Sequence, residues 1–394
     1  MKTVYVVLPP TANAPSIPFH AEFSLSFMRD QLAAAHALFP TDNPLTCRRL
    51  ADLVPDADVL IVMRSGVIAA LPSLTRLASA CRCDDQTVVG PVMVSGAADQ
   101  MTSLPFSFSD VDTFQELAAW LLVNRQGSIR NVPSISEEIF CCSSAWLKRF
   151  LPDFPIERIG AHEIWHDAVK IVAEDSIAHS FSNYYRHPRM DLIALIPDGA
   201  RSILDVGCAE GAIGKYLKAH RPGIRCVGIE ADPIAAQSAE KIYDLVFSQP
   251  VENVVITERF DCIVCGDILE HLIDPHRVLK RFHSLLNDAG ILVGSVPNVG
   301  HWTVIRGLMK GRFQYVPAGI LCWDHLRFFT EDSLRSMLRE TGYQLDALHG
   351  HSSTPSPEGT RFMQWLESGG YGQTTSLTTE QFVFRSKKIS TGIH

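Results

Sequence analysis

Short apolar runs set off by polar or Pro-containing sequence recur along this chain. Val4–Leu8, Asp58–Met63 and Thr87–Met93 have the form of buried β-strands. Ser24–Phe39, Leu71–Ser79 and Thr113–Val123 carry apolar residues at helical spacing. Strand-like runs return at Ile203–Val206, Arg225–Glu230, Phe260–Cys265 and Gly290–Pro297, with helical spacing over Val278–Leu286. Strands alternating with helices predict an α/β fold with a largely parallel sheet. The two stretches of alternation predict two domains: residues 1–150 as a separate α/β unit and residues 181–394 as a second. Residues 151–180 contain Pro152 and Pro155 and then a helix-like stretch, Trp165–Ala178, which predicts a linker and a helix leading into the second unit. Residues 350–378 are rich in Ser, Thr, Gly and Pro, with one short helix near Phe362–Leu366.

Composition narrows the class. An apolar content of 46% and a mean hydropathy of +0.08 indicate a globular protein. The net charge of −8 argues against a nucleic-acid partner, because phosphate binding needs clustered Lys and Arg. No run approaches the roughly 20 apolar residues of a membrane span; Val59–Leu71 is interrupted by Arg64 and Gly66. Val4–Leu8 is shorter than a signal-peptide core, and a cytoplasmic location is expected. The ten cysteines are scattered, and Cys262-x-x-Cys265 lies inside a strand-like run without a second pair. Buried thiols in a reducing compartment are the expectation, not a metal or disulfide framework.

Residues 203–214 carry the chemistry. An apolar run ends in Asp205, and small residues follow at Gly207, Ala209 and Gly211 before a helix-like segment. Small residues there let a strand turn tightly into a helix and let a ligand approach the backbone. Arg225–Glu230 then reads as a strand ending in an acid, a common device for ribose hydroxyls. A dinucleotide G-x-G-x-x-G starting at Gly207 would need glycine at 209 and 212, and both are alanine.

With the segments Leu204–Gly211 (LDVGCAEG), Gly228–Asp232 (GIEAD), Phe260–Pro275 (FDCIVCGDILEHLIDP) and Gly290–Asn298 (GILVGSVPN), the chain resembles the class I S-adenosylmethionine (SAM)-dependent methyltransferases. The resemblance is closest to the bacterial group related to ubiquinone-biosynthesis O-methyltransferases and covers about residues 180–350. PNVGHW (297–302), Gly311–Tyr315 and HLRFFT (325–330) resemble a subgroup associated with sugars, surface glycans and specialised metabolites. The resemblance implies a Rossmann-like seven-stranded sheet whose last strand, Gln381–Arg385, runs antiparallel beside a sixth strand at Gly342–Leu348. More weakly, residues 1–150 resemble a family-2 glycosyltransferase domain, but Arg64-Ser65-Gly66 stands where that family has its acidic D-x-D.

The site implied by the resemblance is as follows. Asp205, Gly207, Cys208, Ala209 and Gly211 form the methionine pocket, Glu230 holds the ribose, Ala231 and Asp232 lie beside the adenine, and Asp267, Ile268 and Leu269 flank the sulfonium. Many relatives carry an acid after the third strand that accepts the adenine amino group; Pro250 stands near its place. His271 is the first candidate for general base, since an imidazole accepts a proton near neutral pH. His301 and His325 are further candidates, and each also has a purely structural reading. Tyr185 and Arg327 could contact substrate, and Trp302, Phe313, Tyr315 and Trp323 could form an aromatic acceptor wall or a packed lid. Methyl transfer from an activated sulfonium needs no metal in principle, so no metal ligands are assigned. The leading expectation is O-methylation of a small-molecule or sugar hydroxyl, with the first domain shaping the substrate site or a homodimer. N-methylation, a bifunctional glycosyltransferase–methyltransferase, a non-catalytic SAM-binding scaffold and a nicotinamide oxidoreductase are the alternatives.

Overall fold

The computed structural model describes residues 2–8, 18–33, 37–38, 58–64, 66–81, 84–94, 100–136, 138–150, 163–164, 168–180, 188–316, 318–371 and 374–389. Tyr185, expected to contact substrate, lies outside these residues. The chain divides into two compact units, Met1–Asn183 and Tyr184–His394.

In the first unit the strands are β1 (Thr3–Leu8), β2 (Ala37–Leu38), β3 (Val59–Arg64), β4 (Val67–Ala69), β5 (Thr87–Met93), β6 (Ile129–Asn131), β7 (Ile135–Ser136), β8 (Ile139–Ser143), β9 (Glu163–Ile164) and β10 (Val169–Ser180). Its main sheet has the order β2-β1-β3-β8-β5-β10-β4, with β6 on β10. β1 pairs parallel with β2 and β3, while β8 lies antiparallel between β3 and β5. β3 and β5 are buried along their whole length, which is why they read as unbroken apolar runs.

Two expectations need correction here. The helix expected over Trp165–Ala178 is strand over Val169–Ser180, paired with β5 and belonging to the first unit. Its register against β5 shifts between Ala173 and Ile177, so Glu174, Asp175 and Ser176 interrupt the alternation that would mark a strand. A short buried strand and a buried helical turn then look alike in sequence. The helix expected over Ser24–Phe39 spans Pro18–Gln31, and Ala37–Leu38 pairs in the sheet instead.

The second unit has β11 (Ser202–Val206), β12 (Arg225–Glu230), β13 (Leu245–Ser248), β14 (Phe260–Gly266), β15 (Leu286–Pro297), β16 (Tyr343–Ser352) and β17 (Thr379–Lys388). The order is β13-β12-β11-β14-β15-β17-β16. β13 through β15 are parallel, and β17 is inserted antiparallel between β15 and β16. The expected seven-stranded sheet with an antiparallel last strand is the fold observed. Helices cover both faces. Pro275–Leu285 starts behind an Asp274 cap and packs Val278, Leu279 and Phe282 on one face, beside Leu334 and Leu338 of the helix Glu331–Glu340. The other face holds Leu192, Ile193, Ile213, Leu217 and Tyr243. Cys262 and Cys265 sit in these two different clusters, on opposite faces of β14, so they do not form a pair.

Chain order reverses at β11, which has β12 on one side and β14 on the other. In an open α/β sheet the crevice outside the carboxyl ends at such a switch point is where ligands bind. The loops after β11, β12 and β14 are the three segments that carried the motifs in the sequence.

Candidate functional site at the sheet switch point

Three non-glycine residues among those described have positive φ: Arg189 (28°), Ala209 (48°) and Asp267 (55°). All three stand in or beside this crevice. Side chains rarely adopt that backbone conformation, and where they do the surrounding structure holds them in it, commonly at functional sites.

After β11 the chain turns through Gly207 (φ 72°) and Gly211 (φ 91°) into the helix Ala212–His220. The amides of Gly207 and Cys208 both donate to the carbonyl of Ile229 at the end of β12. Glu230 closes the turn from the other side. One of its carboxylate oxygens accepts from the Ala209 amide (2.8 Å) and the other from the Asp232 amide (2.9 Å). Asp232 in turn caps the helix Pro233–Ala239 through the amides of Ile234 and Ala235. A carboxylate has about four acceptor positions. Glu230 therefore keeps capacity for a ligand bearing paired hydroxyls, the donor set a ribose offers. Burial raises its pKa, partly offset by the two amides. Ile268 lies over the turn: its Cδ1 is 2.2 Å from where a Cβ on Gly207 would stand. Only glycine fits there.

Asp205 and Cys208 depart from the expectation. Asp205 is 2% exposed and accepts a hydrogen bond from the Tyr243 hydroxyl. That hydroxyl accepts in turn from the Gly214 amide at 2.9 Å. Burial pushes the Asp205 carboxyl up to about 7, against the lowering effect of Tyr243. Asp205 is thus an anchor beneath the turn, not a free ligand contact. The Cys208 side chain is buried against Gly228, with Sγ 2.7 Å from a Cβ position there. Its thiol points into the protein, leaving only its backbone to the crevice. Tyr243 was missed by sequence reasoning. Its ring packs against Gly211, Gly214 and Gly228, and a Cβ on Gly214 would meet that ring at 2.5 Å. Part of the glycine pattern thus makes room for one tyrosine.

Asp267 heads the loop after β14. Oδ1 accepts from Ser295 Oγ (2.8 Å) and Gln381 Nε2 (2.6 Å), while Oδ2 pairs with Arg189. Arg189 also holds Asp191, Ser295 and Gln381. Arg189 is a second residue that sequence reasoning missed, because one arginine after a proline carries no periodic signal.

The next turn, Leu269–His271, meets the loop 320–327. The amides of Leu326 and Arg327 both donate to the carbonyl of Glu270 (2.8 and 3.0 Å). Arg327 also bonds the carbonyls of Leu326 and Ile273, so its guanidinium ties the two loops together. His271 and His325 face each other edge to face with ring centroids 4.9 Å apart. Burial lowers the pKa of His325. His325 also contacts Phe328, which stacks edge-on with Phe313, and Phe313 with Tyr315. Phe313, Tyr315 and Trp323 are 42%, 43% and 51% exposed, an aromatic surface beside the two histidines.

His301 and Trp302 belong elsewhere. His301 is wholly buried and caps the helix Trp302–Met309. Nδ1 bonds the Thr303 hydroxyl (2.9 Å) and Nε2 the Ser353 hydroxyl (3.3 Å). Burial pushes its pKa down to about 3. Trp302 is 1% exposed, packed with Met363, Leu366 and Leu377 under the Arg306 guanidinium. Neither is an open catalytic or acceptor-wall residue. At the adenine end, Pro250 leads into the turn Val251–Asn253, held by Arg281 through the Val251 and Val254 carbonyls.

A methyltransferase domain family matches residues 177–348, from the end of β10 to within β16. Apart from residues 177–183, the match lies in the second unit, which is thus similar to methyltransferase domains. It is similar to the ubiquinone biosynthesis O-methyltransferase of Cereibacter sphaeroides, 26% identical over 161 residues, covering 39% of this chain and 64% of that one. That of Azorhizobium caulinodans is 27% identical over 174 residues, covering 42% of this chain and 67% of the relative. The match therefore spans about two thirds of these relatives' length. Among solved structures, the N-methyltransferase NodS of Bradyrhizobium japonicum in complex with S-adenosyl-L-homocysteine is 17% identical, covers 50% of this chain and 84% of its own, and has a TM-score of 0.35. A SAM-dependent methyltransferase from Clostridium acetobutylicum is 13% identical over 51% of this chain and 90% of its own, with a TM-score of 0.37. No described helix is long and apolar enough to cross a membrane.

Proposed function

We propose that the second unit is a SAM-dependent O-methyltransferase that acts on a small-molecule or sugar hydroxyl. The observation that carries this reading is Glu230. It ends β12 at the switch point, braces the Gly207–Gly211 turn through the Ala209 amide, and retains acceptor capacity for ribose hydroxyls. SAM supplies a methyl group already activated on a sulfonium, so the protein must align it with the acceptor and accommodate the acceptor's proton. The strained Asp267, fixed by Arg189, Ser295 and Gln381, holds the turn that carries Ile268 to His271. The aromatic surface of Phe313, Tyr315 and Trp323 supports an acceptor with an apolar or sugar face, oriented toward His271 and His325. His271, partly exposed and steadied by Asp324, takes up the hydroxyl proton. For the first unit we propose a part in substrate positioning or self-association within a cytoplasmic enzyme.

Titration calorimetry of the whole chain with SAM tests the cofactor. Micromolar binding, weakened about 30-fold or more by Glu230→Ala, is expected from the loss of paired charge-assisted hydrogen bonds. Absence of SAM binding by the folded protein rejects the reading. With an acceptor in hand, His271→Ala should lower kcat by about 100-fold. A much smaller loss would point to an amine acceptor, which asks less of a base.

A further inference from the structure

Ser248, the last residue of β13, pairs in register with Glu230. The chain beyond it, residues 249–254, therefore stands beside the carboxylate that faces a ribose. It lies on the side away from the Gly207–Gly211 turn, because β12 separates β13 from β11. A nucleoside whose ribose sits on Glu230 and whose tail follows the Gly207 turn presents its base to this segment.

The segment is fixed from two directions. Val251 and Val254 turn their side chains into the core beside Val278, Leu279 and Phe282, while Glu252 and Asn253 are exposed. On the backbone side, Arg281 from the helix Pro275–Leu285 donates Nη1 to the Val251 carbonyl at 2.9 Å and Nη2 to the Val254 carbonyl. One planar guanidinium thus spans both ends of the turn, a geometry that lysine cannot reproduce. Burial lowers the pKa of Arg281, and no described carboxylate offsets that. Both amino groups go to neutral carbonyls, so what the charge fixes is the shape of the backbone, not an ion pair. We propose that Arg281 is a positioning residue for the base of the cofactor, holding the turn Val251–Val254 in the shape that meets the adenine edge.

This role rests on the methyltransferase reading and extends it to a residue outside all four motifs. Arg281 acts through the turn and does not itself touch the cofactor. The helix that carries it is capped by Asp274, just after the turn that bears His271, and Arg327 bonds the Ile273 carbonyl at its foot. Val278, Leu279 and Phe282 root that helix in the core. It is therefore a rigid spacer between the base end of the cofactor and the loops around His271. A turn that fixes the base also fixes where the sulfonium falls, and small displacements there weaken alignment for transfer.

The test compares two ligands on the full chain by calorimetry: S-adenosylhomocysteine and S-inosylhomocysteine, which carries an oxo group in place of the adenine amino group. Wild type is expected to prefer the adenine compound by about tenfold or more, since a turn shaped for the amino edge leaves groups unpaired against the oxo edge. Arg281→Met keeps the aliphatic stem and removes both hydrogen bonds. It should weaken S-adenosylhomocysteine about tenfold and S-inosylhomocysteine by less than about twofold, so that the preference is lost. Arg281→Lys should restore about a third of it. Phe282→Leu, a core change in the same helix, is the control: it lowers the unfolding midpoint and leaves the preference as in wild type. If Arg281→Met does not fold, Arg281→Lys carries the test, a reduced preference supporting the role and an unchanged one overturning it. Equal weakening of both ligands by Arg281→Met, or an unchanged preference, overturns the proposal, while wild-type binding of S-adenosylhomocysteine leaves the methyltransferase reading standing. Absence of binding by the folded wild type removes both.

Discussion

Two buried acids of the second unit make opposite uses of burial. Asp205, under the Gly207 turn, is 2% exposed and has its own donor, the Tyr243 hydroxyl. Glu270, in the turn after β14, is 0% exposed and has none on another residue. Burial raises both carboxyls above the ordinary range. The consequence differs. An acid with a donor is a structural joint, and its site is complete. An acid without one adds an unoffset desolvation cost that only an incoming proton relieves.

Asp205→Ala should have the largest effect on stability, because it leaves the Tyr243 hydroxyl and a small void in the core. A loss of about 3 kcal/mol in denaturant unfolding is expected. If the loss is near zero, Asp205 is not the joint described. Tyr243→Phe keeps the ring between Gly211, Gly214 and Gly228 but removes the hydroxyl, leaving the Gly214 amide and Asp205 unpartnered. It should cost about 1–2 kcal/mol and weaken SAM binding about threefold, read by denaturation and calorimetry. Glu270→Met should act in the other direction, raising stability by about 1 kcal/mol as an unpartnered carboxyl gives way to an apolar chain. A destabilised Glu270→Met variant would erase the contrast between the two acids.

The smallest effect is a pH dependence. The folded-state pKa of Asp205 is raised to about 7, so its contribution is fully present below the ordinary carboxyl pKa. It is lost as pH rises toward and through about 7, because the unfolded chain releases the proton first. His301 is depressed to about 3, so its contribution is present above the ordinary histidine pKa and is lost as pH falls toward 3. Asp205→Asn, which mimics the protonated acid, should flatten the fall in stability between pH 4 and about pH 7 relative to wild type. An unchanged pH profile would mean that Asp205 is charged in the folded protein.

The second unit was readable where its strands announce themselves locally; β13, exposed at both ends, was not read as a strand, and β16 and β17 rested on the resemblance. β11, β12 and β14 are apolar runs that end in a turn, and their loops bear Gly207, Glu230 and Asp267. The first unit was less readable. β8, buried between β3 and β5, was not predicted, and β10 looked helical because its bulge at Glu174–Ser176 breaks the period. His301 and His325 looked equivalent in sequence. A hydrogen-bonding environment separates them, with both ring nitrogens of His301 on hydroxyls and one of His325 left open.

By itself the sequence determined the alternation of strands and helices in the second unit, the backbone freedom at Gly207 and Gly211, and which acid ends β12. These follow from hydrophobic period and from the conformations a residue type allows, both local properties. The tertiary structure decided what the buried acids are for. Tyr243 reaches Asp205 from 38 residues away, and His325 reaches His271 across the 320–327 loop. Whether a buried carboxyl has a donor depends on neighbours brought together only by packing, and no pattern along the chain records them.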